Sequence, residues 1–297
     1  MRVALIQTKP RKGDIATNLR ELAATFGELA HDGVAYDLLV LPEAALTGYF
    51  LEGGVYALAM PAEAMAERIA QTWRGAHDGV AFRPVDVAIG FYENSEGTYY
   101  NAALYVRIEA DRHAIVHVHR KLFLPTYGVF DEARFVSRGR RIDAFETSAG
   151  RAAMLICEDA WHAIVPTIAA VKGARILIVP SASPGRGLVG PELESVSYWR
   201  NVLRSYAVEH GVFVLYAGLA GFEGGKGMSG SSFALDPFGD TIGALPALGA
   251  GILKFDLDPS DVELARARLP LLGNLSSVLP DLLEGGAFAG CALEAAS

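Results

Sequence analysis

Apolar residues recur along the chain in short runs of strand length, at residues 3–7, 38–41, 87–91, 152–156, 176–179 and 212–216. Runs this short, apolar on both alternating faces, fit strands buried on both sides. Stretches with helical spacing lie between them. Asp14 is placed to cap a helix whose Leu19, Leu22, Ala23, Phe26 and Leu29 share one face. A second helix is expected over residues 191–210, with Val196, Trp199, Leu203 and Tyr206 on its stripe. Further strands are expected at 102–106, 114–119, 232–235 and 251–257. The last two are linked through Asp236-Pro237-Phe238-Gly239-Asp240, a strong turn signal. This mixture of strand–helix units and meander strands predicts α/β layers, built as two sheets or as one large mixed sheet.

Composition narrows the class. Among 297 residues, 34 acidic against 26 basic side chains give a formal charge of −8, with no lysine/arginine block. A nucleic-acid partner is therefore not expected, because phosphate binding needs clustered cations. The two cysteines, Cys157 and Cys291, build no disulfide framework, and no Cys/His spacing suits a metal. No apolar run reaches the ~18 residues of a membrane span. The N-terminus turns polar within a few residues, unlike a signal peptide. The expectation is a soluble cytoplasmic protein of one domain and a tail.

Three polar residues end buried-looking runs. Glu43 follows Leu38-Leu39-Val40-Leu41-Pro42, at the strand edge where ligands of α/β sheets bind; the alternative is a solvated loop glutamate. Lys121 stands between a strand and Leu122-Phe123-Leu124-Pro125, able to hold charge beside an oxyanion or merely to snorkel. Cys157 follows Ala152-Ala153-Met154-Leu155-Ile156 and opens a helix over Glu158-Asp159-Ala160-Trp161-His162. Free N–H groups at such a junction favour thiolate, whereas a buried structural cysteine is the plain alternative.

Leu41-Pro42-Glu43, Arg120-Lys121-Leu122-Phe123-Leu124-Pro125 and Leu155-Ile156-Cys157-Glu158-Asp159, in this order, resemble the three signature segments of the nitrilase, or carbon–nitrogen hydrolase, superfamily. The resemblance runs to about Asp258. It implies a four-layer αββα sandwich over 1–258, followed by a helical tail at 259–297. It implies a Glu43–Lys121–Cys157 triad without metal or organic cofactor, supported by Glu132 in Tyr127-Gly128-Val129-Phe130-Asp131-Glu132. The Glu158 N–H would join Lys121 at the oxyanion. Cys157 would form a thioester with a small amide or N-carbamoyl substrate, and Glu43 would move the protons. Homodimers or larger even assemblies are implied, and the apolar tail (Leu269 to Leu272 and Val278 to Leu283) suits such an exchange.

Within that superfamily, segments 121–132, 157–162 and 181–184 are most similar to the glutaminase domain of glutamine-dependent NAD synthetases. Tyr49, Tyr127, Trp161, Ser181 and Ser183 are thereby pocket candidates. No synthetase domain and no phosphate loop is expected in the 297 residues, since Gly221-Phe222-Glu223-Gly224-Gly225-Lys226-Gly227 lacks the required context. The leading expectation is a stand-alone amidase. Alternatives are a glutaminase subunit feeding ammonia to a separate synthetase, and a silent binding protein on the same scaffold. A Cys–His protease would need His117, His119, His162 or His210 as base.

Overall fold

The computed structural model describes residues 1–188 and 193–284. In chain order its strands are β1 (Arg2–Gln7), β2 (Leu38–Val40), β3 (Val85–Ser95), β4 (Thr98–Ile108), β5 (His113–Arg120), β6 (Phe145–Thr147), β7 (Gly150–Met154), β8 (Ile176–Ser181), β9 (Phe213–Gly218), β10 (Ala220–Glu223), β11 (Lys226–Ser229), β12 (Phe233–Leu235), β13 (Thr241–Ala244) and β14 (Gly251–Asp256). The helices are α1 (Ile15–His31), α2 (Val55–Leu58), α3 (Ala62–Gly75), α4 (Ile164–Val171), α5 (Glu194–His210), α6 (Ser260–Arg268) and α7 (Leu271–Glu284).

Among the described residues the strands make two six-stranded sheets, β14-β1-β2-β3-β4-β5 and β13-β12-β9-β8-β7-β6, with β10 and β11 as a separate hairpin. Each sheet has a parallel centre, β1–β2–β3 in one and β7–β8–β9 in the other, flanked by antiparallel strands. The two-sheet alternative is therefore the one adopted.

Strand periodicity explains the layers. In β1, Val3 and Leu5 face the second sheet, while Ala4 and Ile6 face helices. Leu22, Phe26 and Leu29 of α1, with Met65, Ile69 and Trp73 of α3, cover that outer face. Val165 and Ala169 of α4, with Trp199 and Leu203 of α5, cover the outer face of the second sheet. The result is the αββα sandwich. The Asp14 cap forms as expected, its carboxylate accepting from the Thr17 N–H at 3.0 Å.

Three segments differ from expectation. The helix predicted from 191 starts at Glu194, and residues 189–192 lie outside the described part. The helix expected after Cys157 is only a short 3-10 turn, Cys157–Trp161. Cys157 enters it with φ +44°, and His162 ends it in extended backbone. The β10–β11 hairpin escaped prediction because its glycine-rich strands carry no alternating apolar pattern.

The tail residues are placed as far as Glu284. Arg266 of α6 donates to the carbonyls of His210 and Ala174, while Leu271, Val278, Leu282 and Leu283 of α7 remain exposed. Cys291 falls outside the described residues. No helix among those described is long and apolar enough to cross a membrane.

Candidate active site

The two sheets bring distant strand ends together. Glu43 follows β2, Lys121 follows β5, Cys157 follows β7 by three residues, and Ala182 follows β8. Tight backbone approach makes the floor possible. A Cβ on Gly90 of β3 would stand 2.4 Å from the Glu43 Cα and 2.6 Å from the Pro42 carbonyl oxygen, so glycine lets the Glu43 turn lie against the sheet.

Glu43 and Lys121 are fully buried and Glu132 nearly so. The Lys121 Nζ lies 2.8 Å from Glu43 Oε1 and 2.9 Å from Glu132 Oε2. Asn101, in β4, donates from Nδ2 to both carboxylates, at 2.7 Å each. The Ala182 N–H donates to Glu43 Oε2 at 2.7 Å. Burial works against the Lys121 charge, but Glu132 and Glu43 outweigh it and hold the ammonium well above lysine's ordinary range. Burial raises the Glu132 carboxyl too, with Lys121 opposing and Glu43 adding to the rise.

Cys157 is 8% exposed and occupies the left-handed backbone region, a strained position that costs on the order of 1–3 kcal/mol. Burial pushes its thiol well above the ordinary value, Glu43 pushes further, and Lys121 only partly opposes them. Desolvation thus favours the thiol over the thiolate, and a five-residue 3-10 turn brings little dipole to oppose it.

Asp159 ties two segments of the site together. Its Oδ1 accepts from the N–H groups of Leu122 and Phe123, at 2.9 and 3.0 Å. Its Oδ2 meets His119 Nε2 at 2.8 Å and the Ile156 N–H at 3.1 Å.

The pocket candidates separate into two groups. Tyr49 is buried beside the cluster, its ring 5.6 Å from the Lys121 Nζ, and its hydroxyl has no hydrogen-bond partner among the described residues. Burial, Glu132 and Glu43 keep that hydroxyl protonated. Ser181 is buried at the end of β8, and the Ser183 Oγ is occupied by the Trp199 Nε1–H at 3.0 Å. Tyr127 and Trp161 are at the exposed mouth. The Tyr127 hydroxyl donates to Glu158 Oε2 at 2.8 Å, and Trp161 packs on Trp199 at 4.7 Å.

A cavity of about 270 Å³ adjoins the cluster, lined by Tyr49, Phe50, Phe130, Glu132, Phe135 and Val136. A larger groove of about 890 Å³ runs along β5 past His117, His119 and Arg120 and touches none of Glu43, Lys121, Cys157 or Glu132. None of the four histidines that a Cys–His pair would need bonds Cys157. His119 is on Asp159, His117 stacks on Phe145, His162 stacks on Phe123, and His210 meets Thr167. No group of three or more His, Cys, Asp or Glu among the described residues could hold a metal.

Asn101 and Asp159 were missed as site residues by sequence reasoning. Asn101 had a signal, a lone amide within the apolar run Ala102-Ala103-Leu104-Tyr105-Val106 that follows it. Asp159 sat inside a quoted motif without a role. Glu223 had none: its buried carboxylate accepts from the Tyr49 and Phe50 N–H groups across 174 and 173 residues.

The model of the carbon–nitrogen hydrolase family matches residues 2–267. A glutamine-dependent NAD(+) synthetase of Rhodobacter capsulatus is 31% identical over 260 residues, covering 86% of this chain and 43% of the relative. The chain thus spans less than half the length of that relative. A protein of Pseudomonas protegens named "Hydrolase in pqqF 5'region" is 30% identical over 290 residues, 96% of this chain and 91% of that one. The crystal structure of a carbon–nitrogen hydrolase from Helicobacter pylori G27 superposes with a TM-score of 0.75 at 22% identity, over 92% of this chain and 94% of that one. An amidase from Nesterenkonia sp. superposes at 0.71 and 23% identity, over 91% and 95%. With the matched segment spanning both sheets and every strand end that carries the buried charge cluster, the chain belongs to the carbon–nitrogen hydrolase family.

Proposed function

We propose that the chain hydrolyses a small amide or N-carbamoyl compound through a thioester on Cys157. The observation that carries this reading is the Lys121 ammonium, fully buried between Glu43 and Glu132. A fixed cation in a water-poor site stabilises a developing oxyanion far better than it would in water.

The steps follow from the protonation states. Glu43 takes the thiol proton as the sulfur bonds the carbonyl carbon. Lys121 and the Glu158 N–H hold the oxyanion. The carbonyl re-forms, the C–N bond breaks, and Glu43-H gives its proton to the leaving nitrogen, releasing ammonia or an amine. Glu43 then takes a proton from water as the hydroxide adds to the thioester. When the C–S bond breaks, the proton returns to sulfur and the acid departs. Glu132 and Asn101 hold Lys121 and Glu43 in place throughout. The Tyr49 hydroxyl supplies a donor for the substrate; the cavity of about 270 Å³ reaches Tyr49 and Glu132 but is not lined by Cys157.

The test is an ammonia-release screen over amides, N-carbamoyl compounds and nitriles, with intact-mass detection of the adduct. Turnover of an amide with a single acyl group on Cys157 supports the reading. An adduct elsewhere, or hydrolysis by Cys157→Ala, overturns it.

A second reading is a glutaminase that passes ammonia to a separate synthetase. The similarity to a glutamine-dependent NAD(+) synthetase favours it, and the Glu158 carboxylate beside Tyr127 suits the ammonium of an amino-acid amide. Glutamine hydrolysis that rises only when a synthetase is added supports this version. The exposed Ile164 and Ile168 of α4, with Leu282 and Leu283 of α7, also support association of copies. Light scattering is expected to show a dimer or larger even assembly, and a monomer would remove that part.

A further inference from the structure

Asp159 is fully buried, and among the described residues the donors to its carboxylate come from two stretches of chain. The Leu122 and Phe123 N–H groups and the His119 ring flank Lys121 on both sides. The Ile156 N–H immediately precedes Cys157. Three of these donors are backbone, fixed wherever the chain goes. The His119 ring is the one side-chain donor, itself 2% exposed. A carboxylate in such a place stays tightly bound only while its donors are complete.

The Lys121 side chain is held by Glu43 and Glu132, and its backbone is held as well. Its N–H donates to the Asn101 carbonyl at 2.9 Å, and its carbonyl accepts from Gly139 at 2.7 Å. The first of these bonds fixes it to β4 of the first sheet. Cys157 belongs to the second. Asp159 joins the two segments, and His119 is one of the four groups that hold its carboxylate.

We propose that His119 is a positioning residue for the chemical step: by donating from Nε2 to Asp159 it fixes the spacing between the Lys121 ammonium and the Cys157 thiol. The proposal rests on the thioester reading above for its effect on turnover. Its geometric core is independent of which amide is the substrate. A misplacement of about 1 Å at a reacting centre can cost ~10²-fold in rate.

The experiment compares His119→Gln with His119→Asn. A glutamine amide reaches the place of Nε2, whereas an asparagine amide reaches only that of Nδ1; both are neutral and polar, so a general packing defect affects them alike. One readout is the second-order rate of Cys157 alkylation by chloroacetamide, followed by intact mass. The other is the split between kcat and KM on the best amide. His119→Gln is expected to keep both rates within a few-fold of wild type. His119→Asn, with the same melting temperature as His119→Gln, is expected to lose ~10²-fold in kcat with KM unchanged, and to alkylate more slowly. Equal rates in the two variants, or a loss in His119→Asn that tracks its unfolded fraction, overturn the proposal. A wild-type protein that hydrolyses no amide removes the thioester reading instead, while the alkylation ratio still decides the role of His119.

Discussion

The floor and the mouth of the site are built on opposite principles. On the floor, Glu43, Lys121, Glu132 and Asn101 are buried and meet one another at 2.7–2.9 Å. At the mouth, Tyr127 is 51% exposed and Trp161 37%, and the Tyr127 hydroxyl donates to Glu158. The floor is expensive to disturb because every charge there is desolvated and depends on its neighbours. The mouth is cheap to change because water replaces what is removed. The first arrangement suits a reaction that must not vary, and the second suits a substrate choice that can.

The strongest test of this contrast is Lys121→Met. Losing an oxyanion donor costs ~10²–10³-fold in kcat. Glu43 and Glu132 are left without their cation, so the melting temperature should fall as well, by the equivalent of about 3–5 kcal/mol. The double variant Lys121→Met/Glu132→Gln removes one of the stranded carboxylates. It should regain much of the stability and none of the turnover. Recovery of turnover would show that the lysine acts only as a structural counter-ion.

A second large effect is expected at Gly90, where the floor depends on a missing side chain. Gly90→Ala would press a Cβ against the Glu43 and Pro42 backbone. Overpacking of this kind costs about 1–3 kcal/mol, and here relief comes only by moving Glu43. Thermal unfolding and turnover should therefore both fall. A variant with wild-type melting and wild-type turnover would mean that the close approach is not required.

The same contrast decided what could be read from sequence. The floor residues Glu43, Lys121 and Cys157 follow buried strands, and strand ends announce themselves as apolar runs that stop. The two sheets and the outer helices were legible for the same reason, since Val3 to Ile6 alternate between two cores. Asn101 and Glu223 were not legible, because each serves a partner far off in the chain: Asn101 lies 58 residues from Glu43, and Glu223 lies 174 from Tyr49. No local pattern carries such a pairing. The composition of the turn after Cys157 allows a helix, whereas the positive φ at Cys157 has no signature in residue type.

Protonation offers a middle-sized test. Burial first, and Glu43 second, hold the Cys157 thiol above its ordinary value. The unfolded chain ionises its cysteine before the folded one does, so the folded state binds more protons in that window. Stability should therefore decline as pH rises through the unfolded value and beyond. Alkylation of Cys157 should likewise rise with pH only above the usual cysteine range. Glu43→Gln removes the repulsion, so the alkylation midpoint should move down while hydrolysis is lost. An unmoved midpoint would show that Glu43 does not govern the thiol.

The smallest effect is expected at the mouth, and its smallness is the point. Tyr127→Phe deletes the hydrogen bond to Glu158, whose donor belongs to a half-exposed ring. A neutral donor bonded to a carboxylate would be worth about 1.5–3 kcal/mol if buried. Here water takes the place of the hydroxyl, and the exchange should leave only a few tenths of that, about a twofold change in KM. The kcat should stay at the wild-type value, because Tyr127 meets Glu158 and Phe130 rather than Lys121 or Glu43. Glu158→Gln should behave similarly on a neutral amide but raise KM further on glutamine, whose ammonium would lose a partner. Steady-state kinetics on one neutral amide and on glutamine separates these cases. A kcat loss near that of Lys121→Met would extend the floor to include Tyr127, and the boundary between the two regions would have to be drawn outside the Tyr127–Glu158 pair.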